Sequence, residues 1–227
     1  VSEVLQKEFG RSLSDEGVNI IDPFTGTGTF ITRLLQSGLI NKEDLERKYK
    51  NEIFANEFLL LAYYIVAVNI ENVYHDIMGK DVYDEFPGIV LTDTFQLYED
   101  DDNEKLFSDE LAGNSERLQK QKQKPLRVII GNPPYSVGQK SANDAAENQD
   151  YPQLDKALAG SYAALSKSNN KNSVYDSYIR AFRWATDRIA KEGGIIGYVS
   201  NGSWIDGNSQ DGMRKSLEKE FTSIHVF

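Results

Sequence analysis

The sequence contains no cysteine and only two histidines, His75 and His225. Without thiols the chain can form neither a disulfide nor a thiolate zinc site, and two histidines are too few for a histidine-rich metal centre. We therefore expect no bound metal. The composition fits a reducing compartment, and we expect the protein to be cytoplasmic.

Long apolar runs are also lacking. The longest, FLLLAYYIVAV at residues 58–68, is too short to cross a bilayer, and the first residues do not form a basic-then-apolar signal peptide. We expect no association with a membrane. The sequence also lacks the G-x-x-x-x-G-K-[ST] pattern of a phosphate-binding loop, so nucleotide hydrolysis by these residues is not predicted.

Positive charge is scarce. Lysine and arginine number 25 against 35 aspartate and glutamate in 227 residues, which gives a net charge of −10. The chain as a whole therefore does not attract nucleic acid. Any contact with DNA must be local or come from another part of a longer protein.

What the sequence does contain is an alternation of strand-like and helical patterns. The alternation predicts an α/β fold with a mostly parallel sheet between two layers of helices. The strand candidates are residues 18–24, 52–58, 88–95, 127–134, 193–201 and 223–227, and the helical patterns are residues 28–40, 58–70, 175–192 and 211–221.

Two polar ranges interrupt this alternation. Residues 99–124 change from acidic to basic and Gln-rich, and residues 137–173 are rich in Ser, Asn, Ala and Lys. Both are predicted as solvent-exposed loops, the first with room for a short helix. Because the chain starts at Val1 and its last three residues, 225–227, resemble the middle of a strand, we expect it to be part of a longer protein.

A glycine-containing motif, DPFTGTGTF at residues 22–30, lies where the first strand candidate leads into a helix. Gly26 and Gly28 would allow the backbone to approach a ligand closely. Two acids end the next strands: Glu57 could bind a ribose diol, and Asp93 could accept a hydrogen bond from an adenine amine. Singly, these residues are equally typical of helix caps, turns and surface acids. Their order on successive strands favours a cofactor that contains a nucleoside.

DPFTGTGTF followed by NPPY at residues 132–135 resembles the adenine-N6 DNA methyltransferases in which the cofactor motif precedes the catalytic motif. The wider strings DEGVNIIDPFTGTGTF and IIGNPPYSVGQ are similar to the modification domain of large single-chain restriction-modification enzymes. The resemblance covers nearly the whole chain. It implies that residues 1–227 form one catalytic domain with a Rossmann-like three-layer αβα methyltransferase fold, truncated at its C-terminal end.

The resemblance also implies S-adenosylmethionine as the cofactor and assigns roles to twelve residues. The cofactor-binding residues are Asp22, Phe24, Thr25, Gly26 and Gly28 around the methionine part, Glu57 at the ribose, and Asp93 with Phe95 at the adenine; the catalytic residues are Asn132, Pro133, Pro134 and Tyr135. The implied partner is double-stranded DNA with a flipped adenine, whose sequence is read by a domain outside this chain. Motor and nuclease domains are possible in the full-length protein.

Three features of the resembled family have no clear counterpart. The upstream segment that helps to hold the methionine tail is poorly matched by residues 1–10. An aromatic residue facing Tyr135 and a DNA-reading domain would both lie beyond Phe227.

The chemistry of NPPY agrees with the resemblance. An exocyclic adenine nitrogen carries two protons and a lone pair delocalised into the ring. The Asn132 side-chain oxygen and the Pro133 carbonyl can accept those protons, while the prolines hold the backbone rigid and Tyr135 offers a flat surface for the base. The structural alternative is a proline-terminated strand with Tyr135 packed at its rim. Two other functions remain open, a protein glutamine-amide N-methyltransferase and a degenerate, non-catalytic cofactor-binding domain.

Overall fold

The computed structural model describes residues 1–79, 83–99, 111, 113–135 and 150–227. These residues contain five β-strands and nine α-helices. The strands are β1 (Asn19–Asp22), β2 (Ile53–Glu57), β3 (Ile89–Leu91), β4 (Leu126–Gly131) and β5 (Ile195–Tyr198). The helices are α1 (Ser2–Phe9), α2 (Thr29–Gln36), α3 (Lys42–Asn51), α4 (Leu60–Met78), α5 (Asn114–Lys122), α6 (Pro152–Leu158), α7 (Ser177–Arg188), α8 (Ser203–Asp206) and α9 (Asp211–Glu220).

The strands form one sheet in the order β3-β2-β1-β4-β5, and every neighbouring pair is parallel. Ile21 of β1 pairs with Phe54 of β2 on one side and with Ile129 of β4 on the other. The strand order therefore reverses at β1, where β4 joins the sheet. In open parallel sheets, ligands bind at such a reversal, beyond the carboxyl ends of the strands.

Helices cover both faces of the sheet. Ile20 belongs to a buried cluster with residues of α1 to α4, and its neighbour Ile21 belongs to a second cluster with residues of α6 and α7. Successive side chains of a strand point to opposite faces, so the two clusters lie on opposite sides of the sheet. The predicted α/β fold, with a mostly parallel sheet and flanking helices, is confirmed.

The prediction of a strand at residues 223–227 was wrong. These residues have no strand conformation, and Ile224, Val226 and Phe227 are exposed. An apolar β-type sequence becomes a strand only when a partner satisfies its backbone groups. Within the described ranges, no strand pairs with this segment.

The prediction of a loop at 137–173 was wrong for part of its length. Residues 152–158 form α6, which continues into a π-helical turn at Ala159–Ala163. Leu154 and Leu158 lie one turn apart on α6 and are fully buried, but two leucines are too few to reveal the helix in a polar sequence. In the other polar range, residues 114–122 form α5. Residues 100–110, 112 and 137–149 of these two ranges lie outside the described residues.

Among the described helices, none is both long and apolar enough to cross a membrane. The most apolar long helix, α4, has 19 residues and packs Val66 and Ile70 into the core. Its outer side exposes Leu61 and Val68. The position of α4 matters for the site because its first turn follows Glu57 directly.

Candidate functional site

Four polar residues predicted from the sequence lie at one edge of the sheet. Asp22 and Glu57 are the last residues of β1 and β2, Asp93 follows the end of β3 by two residues, and Asn132 follows β4 directly. Because all the strands are parallel, their carboxyl ends meet at this edge. The structure therefore brings the two predicted motifs together at one edge of the sheet.

The loop after β1 is held in place by hydrogen bonds to β1 and β2. The Thr25 hydroxyl donates to the Asp22 carbonyl at 2.9 Å, and the Thr25 backbone N–H donates to the Asn56 carbonyl at 3.0 Å. Gly26 and Gly28 have φ angles of 56° and 87°, in the left-handed region that favours glycine. A Cβ atom on Gly26 would meet nothing within 4 Å. The loop thus leaves open space beside Gly26.

The Asp22 carboxyl is completely buried and only partly satisfied. Its Oδ1 accepts a hydrogen bond from the Phe24 backbone N–H at 3.1 Å, whereas its Oδ2 has no partner among the described residues. Burial raises the pKa of this carboxyl to about 7; the Phe24 bond opposes the shift, and the charge of Glu57 adds to it. A buried acceptor of this kind fits a positively charged ligand such as the methionine part of S-adenosylmethionine.

Glu57 joins the loop after β1 to the start of α4. Its Oε2 accepts from the Gly26 backbone N–H at 2.9 Å, and its Oε1 accepts from Phe58 and Leu59 at 2.9 and 2.8 Å. Burial raises the pKa of Glu57, and these backbone bonds oppose the shift. A carboxylate can accept about four hydrogen bonds, so Glu57 can accept one more, for example from a ribose hydroxyl.

Asp93 is hydrogen-bonded to two aromatic residues, Phe95 and Tyr151. Its Oδ1 accepts from the Phe95 backbone N–H at 2.9 Å, and its Oδ2 accepts from the Tyr151 hydroxyl at 2.7 Å. The Phe95 ring centroid lies 5.3 Å from that of Phe24 and 5.4 Å from that of Tyr151. The sequence analysis missed Tyr151, which is separated from Asp93 by 58 residues and lies in a range predicted as a loop.

The NPPY segment leaves the sheet directly after Gly131. Asn132 and Pro134 are exposed, Pro133 is buried, and Tyr135 is half-buried. The Tyr135 hydroxyl lies 3.1 Å from Asn132 Oδ1 and 3.3 Å from the carbonyl of Val199, so its single proton can be donated to either oxygen. Asn132 Oδ1 is the atom predicted to accept a hydrogen bond from the target amine. In this structure the Tyr135 hydroxyl, from the same NPPY motif, can donate to it.

Gly131 brings the two motifs close together. A Cβ atom at this position would lie 2.8 Å from Asp22 Oδ1, closer than such atoms normally approach. The absence of a side chain lets the end of β4 lie against the Asp22 carboxyl. Asn132, the next residue, consequently begins beside the loop after β1.

A second residue that the sequence analysis missed is Tyr198, the last residue of β5. It pairs with Gly131, and its ring contacts that of Phe24 with a centroid distance of 6.2 Å. The hydroxyl is buried without a partner among the described residues. Burial raises the Tyr198 pKa, and the charge of Asp22 adds to the shift. The sequence does offer one signal that could have revealed this residue: it is a tyrosine at the end of β5, the strand that pairs with the one leading into NPPY.

The comparison with protein families gives one match. Residues 34–227 match the model of the Eco57I restriction-modification methylase family. This match includes the residues of β2 to β5 and the NPPY segment, and it begins after the loop that follows β1. The comparison with curated proteins gives no match.

Solved structures that resemble the chain include three restriction-modification or DNA-bound proteins. A nuclease-deletion mutant of the Type ISP restriction-modification enzyme LlaGI, in complex with a DNA substrate mimic, is 48% identical over 97% of the chain, with a TM-score of 0.87. The ATP-dependent Type ISP enzyme LlaBIII bound to DNA is 48% identical over 96%, with a TM-score of 0.85. A DrdV–DNA complex is 44% identical over 97%, with a TM-score of 0.86. The chain spans 18%, 15% and 21% of these three proteins, respectively.

Proposed function

This chain belongs to the Eco57I restriction-modification methylase family, and we propose that it transfers a methyl group from S-adenosylmethionine to N6 of adenine in DNA. The reaction would be the modification half of a restriction-modification system. The observation that carries this proposal is the contact between the two motifs through Gly131, where a Cβ atom would lie 2.8 Å from Asp22 Oδ1. A cofactor held at Asp22 would therefore lie next to a base held at Asn132.

The residues at the strand ends fit the chemical groups of S-adenosylmethionine in order. When bound, this cofactor supplies a methyl group on a positively charged sulfur. The free Oδ2 of Asp22 would accept a hydrogen bond from its methionine ammonium, and the open space beside Gly26 would take the chain of the ligand. Glu57 would accept from a ribose hydroxyl, and Asp93 would accept from the adenine amine beside Phe95.

The NPPY segment would hold the target amine. Asn132 Oδ1 and the Pro133 carbonyl would each accept one N–H of the adenine, which directs the nitrogen lone pair away from the ring. The adenine amine would then replace the Tyr135 hydroxyl, which lies 3.1 Å from Asn132 Oδ1 in this structure. The Tyr135 ring would stack on the base. Because the Asn132 side chain is neutral, it would not form an ion pair with the positively charged sulfur of the cofactor.

The proposed partner is double-stranded DNA. The solved structure of LlaGI is a complex with a DNA substrate mimic, and that of LlaBIII is a complex with DNA. The target adenine would leave the duplex to reach Asn132, at a cost of a few kcal/mol. With a net charge of −10, this chain would depend on a sequence-reading domain elsewhere in a longer protein. Motor and nuclease domains are proposed for that longer protein, and the cytoplasm is its proposed location.

The test is a methyl-transfer assay with the complete protein. S-adenosylmethionine carrying a tritiated methyl group would be supplied with DNA and, separately, with a peptide release factor as the protein substrate. We expect label in the DNA, recovered as N6-methyladenine after enzymatic digestion. Label in the release factor alone would favour glutamine-amide methylation, and absence of cofactor binding by calorimetry would favour a non-catalytic domain.

A further inference from the structure

Tyr151 lies directly before α6, and its side chain reaches the end of β3. Its hydroxyl donates to Asp93 Oδ2 at 2.7 Å, and the residue is only 4% exposed. Burial and the Asp93 charge both raise the Tyr151 pKa, so the hydroxyl keeps its proton. This pair is therefore a neutral donor bonded to a buried carboxyl at the place proposed for the cofactor adenine.

The position of Tyr151 is fixed on several sides. Its ring packs edge-on against Phe95, with a centroid distance of 5.4 Å and an interplanar angle of 71°. The Arg180 guanidinium lies 5.6 Å from the ring centroid and forms two hydrogen bonds with Asp155, of 2.8 and 2.9 Å. Glu99 accepts hydrogen bonds from backbone N–H groups in the first turn of α6. The hydroxyl is thus held in one orientation.

These contacts make Asp93 a hydrogen-bond acceptor at both of its carboxylate oxygens. Oδ1 accepts from the Phe95 N–H and Oδ2 accepts from Tyr151. A carboxylate that already accepts from both sides still has lone-pair capacity, but it has no proton to donate. It can bind an amine on a purine ring and is repelled by a carbonyl at the same position.

We propose that Tyr151 is a positioning residue that makes Asp93 selective for an adenine base in the cofactor over a base carrying a carbonyl at that carbon. This inference rests on the proposed function. Tyr151 would act by keeping Asp93 oriented and ionised, without itself contacting the reacting atoms.

The charges around Asp93 explain why Tyr151 matters. Burial raises the pKa of Asp93, whereas hydrogen bonds from the Tyr151 hydroxyl and from the Phe95 and Gln96 backbone N–H groups lower it. Removing the hydroxyl would raise the Asp93 pKa further, and a protonated Asp93 could donate to a carbonyl. The ionisable groups on the elements packed around Asp93 include Glu57 of β2, Glu99 in the segment after β3, Tyr151, Asp155 and Lys156 at α6, and Arg180, Arg183, Asp187 and Arg188 of α7.

The experiment measures cofactor selectivity in the complete protein. The dissociation constants of S-adenosylhomocysteine and S-inosylhomocysteine would be determined by calorimetry between pH 5.5 and 8 for the wild type and for Tyr151→Phe. The wild type is expected to prefer the adenine ligand. In Tyr151→Phe the adenine ligand is expected to bind about tenfold more weakly at pH 8, because Asp93 loses the hydrogen bond that orients it and lowers its pKa. The preference for the adenine ligand, measured as the ratio of the two dissociation constants, should be smaller in Tyr151→Phe than in the wild type. It should decrease further as the pH falls.

Two variants serve as controls. Tyr49 is another buried tyrosine, and it donates to the Asp84 carbonyl at 2.8 Å. It belongs to the cluster on the opposite face of the sheet, so Tyr49→Phe should leave the ligand ratio unchanged. Asp93→Asn presents an amide that can donate or accept at every pH. It should abolish most of the selectivity and its dependence on pH.

The outcomes separate the two proposals. A Tyr151→Phe variant with the wild-type ligand ratio and pH profile would overturn the inference, even if both ligands bound equally more weakly, because that result describes a purely structural role. A wild-type protein that binds neither ligand would overturn the proposed cofactor and the inference together. A lower ratio in Tyr151→Phe than in Tyr49→Phe would support the inference.

Discussion

Asp22 has a pKa of about 7 in the folded chain without ligand, well above the ordinary value of 3.8, chiefly because it is buried. A folded-state pKa above the unfolded value means that this group favours folding most below the unfolded pKa, and that this contribution is lost as the pH rises through about 7. Ionised Asp22 is therefore destabilising without a ligand.

Asp22→Asn is expected to stabilise the ligand-free protein at pH 8. Asparagine has no charge to bury, so the gain in the free energy of unfolding over wild type should reach at most ~4 kcal/mol and should vanish near pH 4. Urea unfolding at several pH values would measure it. A variant less stable than the wild type at pH 8 would contradict this account of Asp22.

Cofactor affinity should rise with pH. A cationic ligand favours ionised Asp22, so binding S-adenosylmethionine below pH 7 should release a proton. Calorimetry in buffers of different ionisation enthalpy would detect that proton. Asp22→Asn should bind more weakly and show little of this dependence; an unchanged affinity in this variant would remove Asp22 from the site.

Asn132→Ala is expected to abolish methylation while leaving the dissociation constant of the cofactor within about twofold. The side chain is exposed, and its oxygen contacts only the Tyr135 hydroxyl among the hydrogen bonds of the described residues, so the fold should not depend on it. Tritium transfer and calorimetry on the same preparation would separate the two effects. Retained turnover would exclude the proposed role.

Some of the candidate site could be predicted from the sequence because it depends on local rules. Asp22, Glu57 and Asn132 each end an apolar run, and parallel strands bring such ends together. Their assigned roles remain predictions. Tyr151 and Tyr198 could not be predicted in the same way, because their importance arises from partners that only the tertiary fold brings close.

At the level of elements, Gly28 controls how closely α2 and α4 approach. A Cβ atom there would lie 2.6 Å from Val66 Cγ2, and the backbone φ is 87°. Gly17 has a similar φ of 80° but open space around it. A substitution at Gly17 therefore strains only the backbone, whereas one at Gly28 strains the backbone and also clashes with Val66. Comparing the two isolates the effect of the clash on stability.

Gly28→Ala is expected to lower the free energy of unfolding by about 1–3 kcal/mol more than Gly17→Ala, because only the first change overpacks the core. Chemical denaturation of both variants would measure the difference. Equal losses would show that Val66 moves aside without cost.

The strands were easier to predict from the sequence than the helices. β1, β2 and β4 each contain consecutive apolar residues, at positions 20–21, 53–55 and 128–130, as expected for strands covered on both faces. By contrast, α3 reads KEDLERKYKN and buries the aliphatic stem of Lys48 together with its charged end, which donates to the carbonyls of Asp15 and Val18. No rule based on apolar spacing detects a helix whose core residues include a lysine.

For the whole molecule, the negative charge predicts weak binding to DNA by this chain alone. With a net charge of −10, its dissociation constant for nonspecific duplex DNA at physiological salt should be weaker than about 10⁻⁴ M, and the complete protein should bind far more tightly. Fluorescence anisotropy at several salt concentrations would compare the two. Micromolar binding by this chain would show that it carries its own DNA-binding surface.

The pairing of β1 with β4 also has a consequence for folding kinetics. β1, β2 and β3 are joined by successive crossovers, whereas β1 meets β4 only after residues far along the chain have been made, with Ile21 opposite Ile129. Closing such a long loop is slow, so we expect β1–β3 to associate before β4 docks. Asn132 would then reach Asp22 in a late step. Pulse-labelling hydrogen exchange should show earlier protection in β2 than in β4.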